Sequence, residues 1–235
     1  MSLLFIVASI SFACVQWDDG NRVAVEGEMV KRTLDLDQFS GFGLSLSAKI
    51  YLRQGSRQSV EIEARESVIE NINQDVSDDY WKIKFKKSMR KYDRVTIWIT
   101  LPRVDRLSVS GSGDILGENR FDNLEDLKLN VSGSGNIRLE AEADETNCVV
   151  TGSGNIALAG TANNQKVSIT GSGDVESEDF AAETCVVRIT GSGDCEVNVR
   201  DRLEVYITGS GDVSYKGDPS VKSRITGSGD VKEKY

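Results

Sequence analysis

The chain has 235 residues, long enough for one sizeable hydrophobic core or for a small cap joined to a larger body. It carries 28 Lys and Arg against 37 Asp and Glu, a net charge of -9, which argues against a nucleic-acid partner because phosphates would be repelled. It contains no histidine, which excludes Ser-His-Asp and Cys-His catalysis and His-ligated metals. With 22 Gly and only 2 Pro, the composition fits neither a collagen nor a disordered linker.

The N-terminus has the features of an export signal. Residues 3–13 form an apolar run that is far shorter than the roughly 20 residues of a membrane-spanning helix. This predicts a signal peptide over residues 1–13. The run ends in Ser11-Phe12-Ala13-Cys14, which resembles the lipidation box of bacterial lipoproteins and predicts a lipid anchor on Cys14. An ordinary cleaved signal, with Cys14 incidental, is the alternative, and the polar residues 14–32 are interpreted as a tether.

The rest of the chain is organised by seven copies of Gly-Ser-Gly followed by Asp or Asn. The first glycines of these copies are separated by 22, 19, 19, 20, 18 and 18 residues, which indicates a repeat architecture with stacked units. The two glycines and the Asp or Asn of each copy are Gly111, Gly113, Asp114; Gly133, Gly135, Asn136; Gly152, Gly154, Asn155; Gly171, Gly173, Asp174; Gly191, Gly193, Asp194; Gly209, Gly211, Asp212; and Gly227, Gly229, Asp230.

The residues that flank each copy are mostly β-branched and alternate with polar ones, so each copy predicts strand, turn and strand. At about 3.3 Å per residue, a repeat of this length makes one circuit of a narrow coil, and neighbouring coils pair in parallel about 4.8 Å apart. The predicted fold class is all-β: a right-handed parallel β-helix with coils of 18–22 residues over 107–235 and an N-terminal β cap over 33–106. Right-handed coiling is favoured because the hexapeptide rhythm of left-handed β-helices is absent.

The corner residues have a structural interpretation. Glycines permit positive φ and close backbone approach where a Cβ would clash with the next coil. Asp or Asn is expected to bond its own local backbone N–H groups, and the hydroxyls before the motif are expected to bond along their own ladder. That ladder includes Thr151, Thr170, Thr190, Thr208 and Thr226.

Three functional alternatives compete with that interpretation. Phosphate binding is disfavoured because a P-loop needs Lys and Ser or Thr after the glycines, followed by a helix. Calcium binding is disfavoured because β-roll sites use a nine-residue repeat, although incidental cation binding at the column of Asp and Asn side chains stays open. Catalysis by paired carboxylates calls for one irregular cluster, which seven near-identical corners do not resemble. No cofactor and no metal site are therefore predicted.

The chain before Gly111 differs in charge. Residues 1–100 hold 14 acidic and 14 basic side chains, so the excess negative charge belongs to the repeat body. Alternating segments, including Leu44–Ser47 and Trp81–Lys86, predict strands that begin the coil and cap its open end. Seven basic residues between Lys82 and Arg94 would suit an anionic lipid or glycan, but their alternation with apolar residues favours the solvent face of an amphipathic strand. In the repeats, Cys148 and Cys195 take inward positions and are predicted to be small core residues.

These segments together resemble the head GIN domain family of auto-transporter adhesins, found largely in exported proteins of Bacteroidota. The resemblance rests on Leu52-Arg53-Gln54-Gly55, Val60–Ala64, Trp81-Lys82-Ile83 and Ile97–Pro102, in that order before Leu107–Asp114. It extends from about Thr33 to the C-terminus and implies an all-β solenoid on an exported protein.

The leading hypothesis is a non-catalytic, lipid-anchored module of the cell envelope that behaves as an adhesin and presents an acidic β-surface to a glycan or protein partner. The alternatives are a structural envelope protein that forms homo-oligomers through its coils and a polysaccharide-active enzyme. The surface and the periplasmic face of the outer membrane are both compatible with the sequence.

Overall fold

The computed structural model describes residues 22–89 and 91–234, and strands fill most of that range. The strands before the repeats are β1 (Arg22–Val23), β2 (Met29–Thr33), β3 (Gly41–Leu44), β4 (Lys49–Gln54), β5 (Ser59–Arg65), β6 (Val76–Ser77), β7 (Tyr80–Ile83), β8 (Ser88–Met89), β9 (Thr96–Leu101) and β10 (Arg106–Gly111). The repeat strands are β11 (Asp114–Gly133), β12 (Asn136–Gly152), β13 (Asn155–Gly171), β14 (Val175–Gly191), β15 (Cys195–Gly209), β16 (Val213–Lys216), β17 (Ser220–Gly227) and β18 (Val231–Glu233). A short helix, α1 (Glu66–Asn71), follows β5.

In the repeat body each coil is one long strand that bends around the core and ends at the next Gly-Ser-Gly. Strands β11 to β15 pair in parallel with the strand of the following coil, and the corner glycines pair with each other. Gly111, Gly133, Gly152 and Gly171 are thus consecutive partners. The β-solenoid predicted from the repeats is confirmed.

The core runs along the axis of the coils as columns of stacked aliphatic side chains. Burial alternates along each strand, as period-two side-chain directions require. One column lies directly after the corners, and its members are all buried: Ile115, Ile137, Ile156, Val175, Cys195 and Val213. Because most of these residues are β-branched, they suit the pleated strand and fill the narrow interior.

The N-terminal segment starts the solenoid. Strands β3 and β4 form a coil beneath β10 and β11, and β7 and β9 form the coil beneath that. Leu44–Ser47, predicted to be a strand, is one only at Leu44, because residues 45–48 turn the corner below Gly113. An added Cβ on Gly113 would lie 2.8 Å from the carbonyl oxygen of Leu46.

The first coil is closed by antiparallel pairing. Strand β5 pairs with β9 and β2 pairs with β5, both antiparallel, so the stack of parallel strands ends on this side in a cap. Helix α1 was not anticipated from the sequence. Its Val68 and Ile69 are buried, and with only six residues its periodic signal is weak.

The other end of the described chain is open. Every residue of β17 is exposed, and Val221 and Ile225 have 39% and 38% of their surface accessible to solvent. Their partners one coil below, Leu203 and Ile207, are buried. The apolar columns therefore extend to this end without a cover in the part of the chain described.

The two corner glycines serve different geometric needs. Gly171 has φ of +119°, a conformation that side-chain-bearing residues rarely adopt. Gly173 does not share that φ, but a Cβ there would lie 2.1 Å from the carbonyl oxygen of Gly154 in the coil below. The second glycine is required because the backbones approach too closely for any side chain.

We expect Gly173→Ala to destabilise the fold by about 3 kcal/mol, because the added methyl overlaps a backbone oxygen that cannot move without breaking the ladder. Urea denaturation followed by circular dichroism measures this difference. Ser172→Ala, on an exposed neighbour in the same corner, is the control and should change stability by less than about 0.5 kcal/mol. Equal stabilities of the two variants would contradict the close-approach argument.

Candidate functional site

The corners of successive coils lie above one another and are joined by backbone hydrogen bonds. In every corner above the first, the serine N–H donates to the carbonyl oxygen of the first glycine one coil below, as Ser172 does to Gly152 at 2.8 Å. The same 2.8 Å bond is repeated by Ser134, Ser153, Ser192, Ser210 and Ser228. The corner is therefore part of the solenoid's ladder and holds neighbouring coils in register.

The Asp or Asn side chain of the motif forms hydrogen bonds between neighbouring coils. Asp174 Oδ1 accepts the N–H of Asp194 at 2.8 Å, and Asp194 Oδ1 accepts the N–H of Asp212 at 2.8 Å. Asn155 Oδ1 accepts the N–H of Asp174 at 3.0 Å. The expected bond to the residue's own turn is found at Asp230, in the last coil, whose Oδ1 accepts the N–H of Val231 at 2.8 Å. We propose that these residues are needed for the stacking of coils.

This bonding explains why either Asp or Asn can occupy the fourth position of the motif. Both side chains present an Oδ1 acceptor, and an N–H of the next coil uses it. Within residues 22–89 and 91–234, no three His, Cys, Asp or Glu side chains form a group suited to holding a metal ion. The carboxylates of the last four coils accept backbone N–H groups, whereas Asp114 Oδ1 accepts the side-chain Nδ2–H of Asn136 at 2.8 Å.

Two columns of hydroxyls border the corner on the outside. The first is the residue before the motif: Ser110, Ser132, Thr151, Thr170, Thr190, Thr208 and Thr226. The second is the middle residue of the motif: Ser112, Ser134, Ser153, Ser172, Ser192, Ser210 and Ser228. All of these residues are exposed, and we call the two columns together the hydroxyl face.

The sequence predicts hydrogen bonds between the hydroxyls of successive coils, but the described coils do not contain them. Parallel strands lie about 4.8 Å apart, which exceeds the reach of a hydroxyl hydrogen bond between equivalent side chains. The hydroxyl bonds found in the described repeats belong to other residues, such as Ser177 to the carbonyl oxygen of Glu196 and Thr184 to Asn164. The hydroxyl face thus presents its donors and acceptors to solvent at regular intervals. The second serine column was missed in the sequence, although its period was visible in the motif.

The wall beside the hydroxyl face carries larger side chains. The outward position two residues before the threonine ladder holds Ser168, Arg188 and Tyr206 in consecutive coils. The guanidinium carbon of Arg188 lies 5.0 Å from the ring centroid of Tyr206, within the range of a cation–π contact. This wall adds a flat cationic and aromatic element next to the hydroxyls.

The interior thiols belong to the core. Cys148, Cys185 and Cys195 are free and buried, and the predictions for Cys148 and Cys195 are confirmed. Burial raises the pKa of the Cys148 thiol to about 12. Burial is also the main cause of the raised pKa values of Cys185 and Cys195. A protonated, buried thiol is a poor nucleophile, so these residues form no reactive site.

The cap contains a cleft of about 610 Å³ lined by Leu36, Phe39, Arg57, Gln58 and Arg103, among others. The Gln58 amide is already bonded: its Oε1 accepts the N–H of Phe39 at 3.0 Å, and its Nε2 donates to the carbonyl oxygen of Asp37 at 2.9 Å. Arg57 and Arg103 are exposed. Ser40, which also lines the cleft, donates its hydroxyl hydrogen to Oδ2 of Asp105 at 2.8 Å.

Ion pairs tie the last coils to earlier ones. Lys234 Nζ lies 2.7 Å from a carboxylate oxygen of Glu178, and Lys216 Nζ lies 3.1 Å from the same oxygen. Hydrogen bonds from Lys234 and then Lys216 lower the pKa of Glu178. The ionised Glu178 carboxylate therefore helps to hold the segments that carry Lys216 and Lys234 against β14.

Together, the stacked coils, the in-register corners and the flat hydroxyl face define a β-solenoid that presents a regular polar surface. Residues 38–219 match the family described as "Putative auto-transporter adhesin, head GIN domain". The chain belongs to this family. No curated protein matches the chain.

Solved structures share the fold along most of its length. A putative adhesin from Bacteroides fragilis superposes with a TM-score of 0.83 at 23% identity, covering 89% of this chain and 98% of that one. A putative lipid binding protein from Parabacteroides distasonis gives a TM-score of 0.75 at 22% identity, covering 91% and 100%. A putative adhesin from Parabacteroides merdae gives 0.74 at 22% identity, covering 92% and 100%. At these identities the likeness establishes the fold.

Among the described residues, no helix has the length and apolar character needed to cross a membrane. Cys14 and the predicted signal peptide lie outside the described residues. The family's adhesin designation implies an exported protein of the cell surface.

We expect Asp174→Ala to lower the free energy of unfolding by about 1 kcal/mol, because the N–H of Asp194 loses its acceptor. Asp174→Asn keeps the Oδ1 acceptor and should be nearly neutral, as the native Asn155 suggests. Urea denaturation of the two variants measures the contrast. A calcium-dependent rise in Tm that Asp174→Asn abolishes would instead assign the column to cation binding.

The Glu178 contacts predict a pH dependence. Because the pKa of Glu178 is lowered in the folded state, its stabilisation is complete above the ordinary glutamate pKa of about 4.3 and is lost as the pH falls through the lowered value. Glu178→Gln should therefore reduce the urea midpoint more at pH 7 than at pH 3. Glu183→Gln, on an exposed residue of the same strand, is the control. An undiminished difference at pH 3 would show that the ion pairs are not the cause.

Proposed function

We propose that this protein is a non-catalytic, adhesin-like module of the cell envelope that binds an extended glycan through the hydroxyl face. The observation that carries the proposal is the pair of exposed hydroxyl columns, repeated in register from coil to coil on a rigid backbone. The family designation as an adhesin supports the same class of role.

The geometry of the face favours a partner with its own repeat. Hydroxyls recur about every 4.8 Å along the axis of the coils, and the cleft in the cap is lined by other residues. A linear polysaccharide offers hydroxyl groups at regular intervals and can align with many coils at once. The Arg188 and Tyr206 pair beside the face supplies a planar surface on which a sugar ring can pack.

Several observations support a binding role over catalysis. In the described residues, the thiols are buried and the column carboxylates accept backbone N–H groups. The net charge of -9 disfavours nucleic acid as the partner. We further propose that the chain is held in the envelope by a lipid on Cys14, on the basis of the box at Ser11–Cys14.

The experiment is a glycan panel probed with the purified protein and with the triple variant Thr170→Val, Thr190→Val and Thr208→Val. Valine keeps the β-branched shape and removes the hydroxyl, so the fold should persist while binding to the recognised polysaccharide falls at least 10-fold. The matched control is Thr96→Val, Thr100→Val and Thr161→Val, which removes three hydroxyls elsewhere and should leave binding unchanged.

Equal binding by the two triple variants would overturn the assignment of the hydroxyl face. Sedimentation velocity across a range of concentrations tests the runner-up, end-to-end association through the exposed Val221 and Ile225. Oligomers that grow with concentration, together with no glycan bound, would favour the structural role over the adhesin role.

A further inference from the structure

The segment between β7 and β9 carries a cluster of positive side chains at the N-terminal end of the solenoid. We call Lys84, Lys86, Lys87, Lys91 and Arg94 the basic loop, and all five side chains are exposed. The predicted amphipathic strand is found in β7, where Trp81 and Ile83 are buried and Lys82 is exposed. The remaining lysines lie beyond that strand, so the alternation explains only part of the charge.

Contacts within the basic loop bring its two arms together. The rings of Phe85 and Tyr92 meet edge to face, with centroids 4.9 Å apart. Asn71 of α1 bonds the first arm twice: its Nδ2 donates to the carbonyl oxygen of Lys87 at 2.7 Å, and its Oδ1 accepts the N–H of Lys87 at 2.9 Å. The Tyr92 hydroxyl accepts the N–H of Ser47 at 2.8 Å. The cationic side chains are thus displayed on a fixed turn.

Four acidic side chains of the cap are already engaged with other cations. Glu66 and Glu70 face Arg32, and Glu61 pairs with Lys31. Asp93, within the loop, pairs with Arg65 of β5. In the described part of the chain, no ion pair involves a member of the basic loop, so its charge is available to an external anion.

The basic loop also lies where the described chain begins. Strand β1 pairs with β8 inside this segment, with Arg22 beside Ser88 and Val23 beside Met89. Eight residue steps separate Cys14 from Arg22, a reach of at most about 28 Å when fully extended. A lipid on Cys14 would therefore hold the basic loop near the membrane, at the end of the solenoid where β7 and β9 form the coil farthest from the repeats.

From this placement we propose that the basic loop docks on the headgroups of an anionic lipid bilayer. Clusters of lysine near a membrane anchor are attracted to anionic lipid, and a single anchor combined with a basic patch holds a protein more firmly than either alone. Docking fixes the solenoid with its cap against the membrane and its repeats directed away. This inference concerns a different surface from the hydroxyl face and does not depend on the glycan.

The test uses the full chain with Cys14→Ala, which removes the acylation site, and vesicles that contain either phosphatidylglycerol with phosphatidylcholine or phosphatidylcholine alone. The apolar residues 3–13 can bind both kinds of vesicle, so the preference between them reports the charge. We expect the protein to prefer the anionic vesicles by on the order of 100-fold at low salt, and we expect this preference to disappear at about 1 M salt.

The variant Lys84→Glu, Lys87→Glu, Lys91→Glu should bind the two vesicle types equally. Lys86 is left in place because its Nζ donates to the carbonyl oxygen of Glu70 at 3.2 Å. The control, Lys128→Glu, Lys166→Glu, Lys222→Glu, makes the same change in net charge on the repeat body and should keep most of the preference. Circular dichroism confirms that both variants fold.

Two results would overturn the proposal. One is wild-type protein that binds both vesicle types alike at low salt. The other is an equal loss of preference in the two triple variants, which would assign the effect to net charge and not to the basic loop. Either result leaves the glycan proposal intact, because that proposal is tested on variants of the hydroxyl face in the absence of lipid.

Discussion

The structure depends on the close approach of backbones at one corner of every coil. The serine N–H reaches the glycine carbonyl oxygen of the coil below at 2.8 Å, and the second glycine sits where a Cβ would lie about 2.1 Å from a carbonyl oxygen. This spacing leaves no room for side chains inside the corner. Side chains around the corner are therefore directed outward, onto the hydroxyl face and the wall beside it, or inward, into the aliphatic columns.

The repeats allowed much of the body to be predicted. Copies of Gly-Ser-Gly at near-constant spacing set the coil length, and alternation assigned residues such as Ile137 and Cys148 to the interior. Two features lay beyond this reasoning. The target of the Asp174 side chain is an N–H one coil away, a three-dimensional neighbour 20 residues distant in sequence. The hydroxyls of the threonine ladder stay unbonded to one another, because strand spacing and not residue type decides whether they meet.

The cap was harder to predict because it has no internal repeat. Antiparallel pairing of β2 and β5 follows from tertiary packing, and α1 is too short for periodicity to identify. The corner at residues 45–48 lacks glycines yet lies below Gly113, where the repeats have a Gly-Ser-Gly corner. Local sequence reasoning works where one constraint recurs, and it weakens where each element has its own packing partners.

The cap and the repeat body also differ in charge. The segment that closes the solenoid holds the basic loop, whereas the repeats account for the net negative charge of the chain. Four acidic side chains of the cap pair with Lys31, Arg32 and Arg65, whereas none of the ion pairs among the described residues involves the basic loop. The two ends of the molecule therefore offer different surfaces to their surroundings.

The in-register corners have a further consequence for how binding strength can be set. Each coil contributes one member to each hydroxyl column, so in the proposed glycan-binding role the coils would act as equivalent sites held at a fixed spacing. For a polymer whose own period matches, contact with one coil places the next repeat at high effective concentration above its neighbour. Avidity then rises steeply with the number of coils engaged, although each contact is weak. In a solenoid of this kind, the addition or loss of a coil changes affinity without any new chemistry, because length itself is the adjustable quantity.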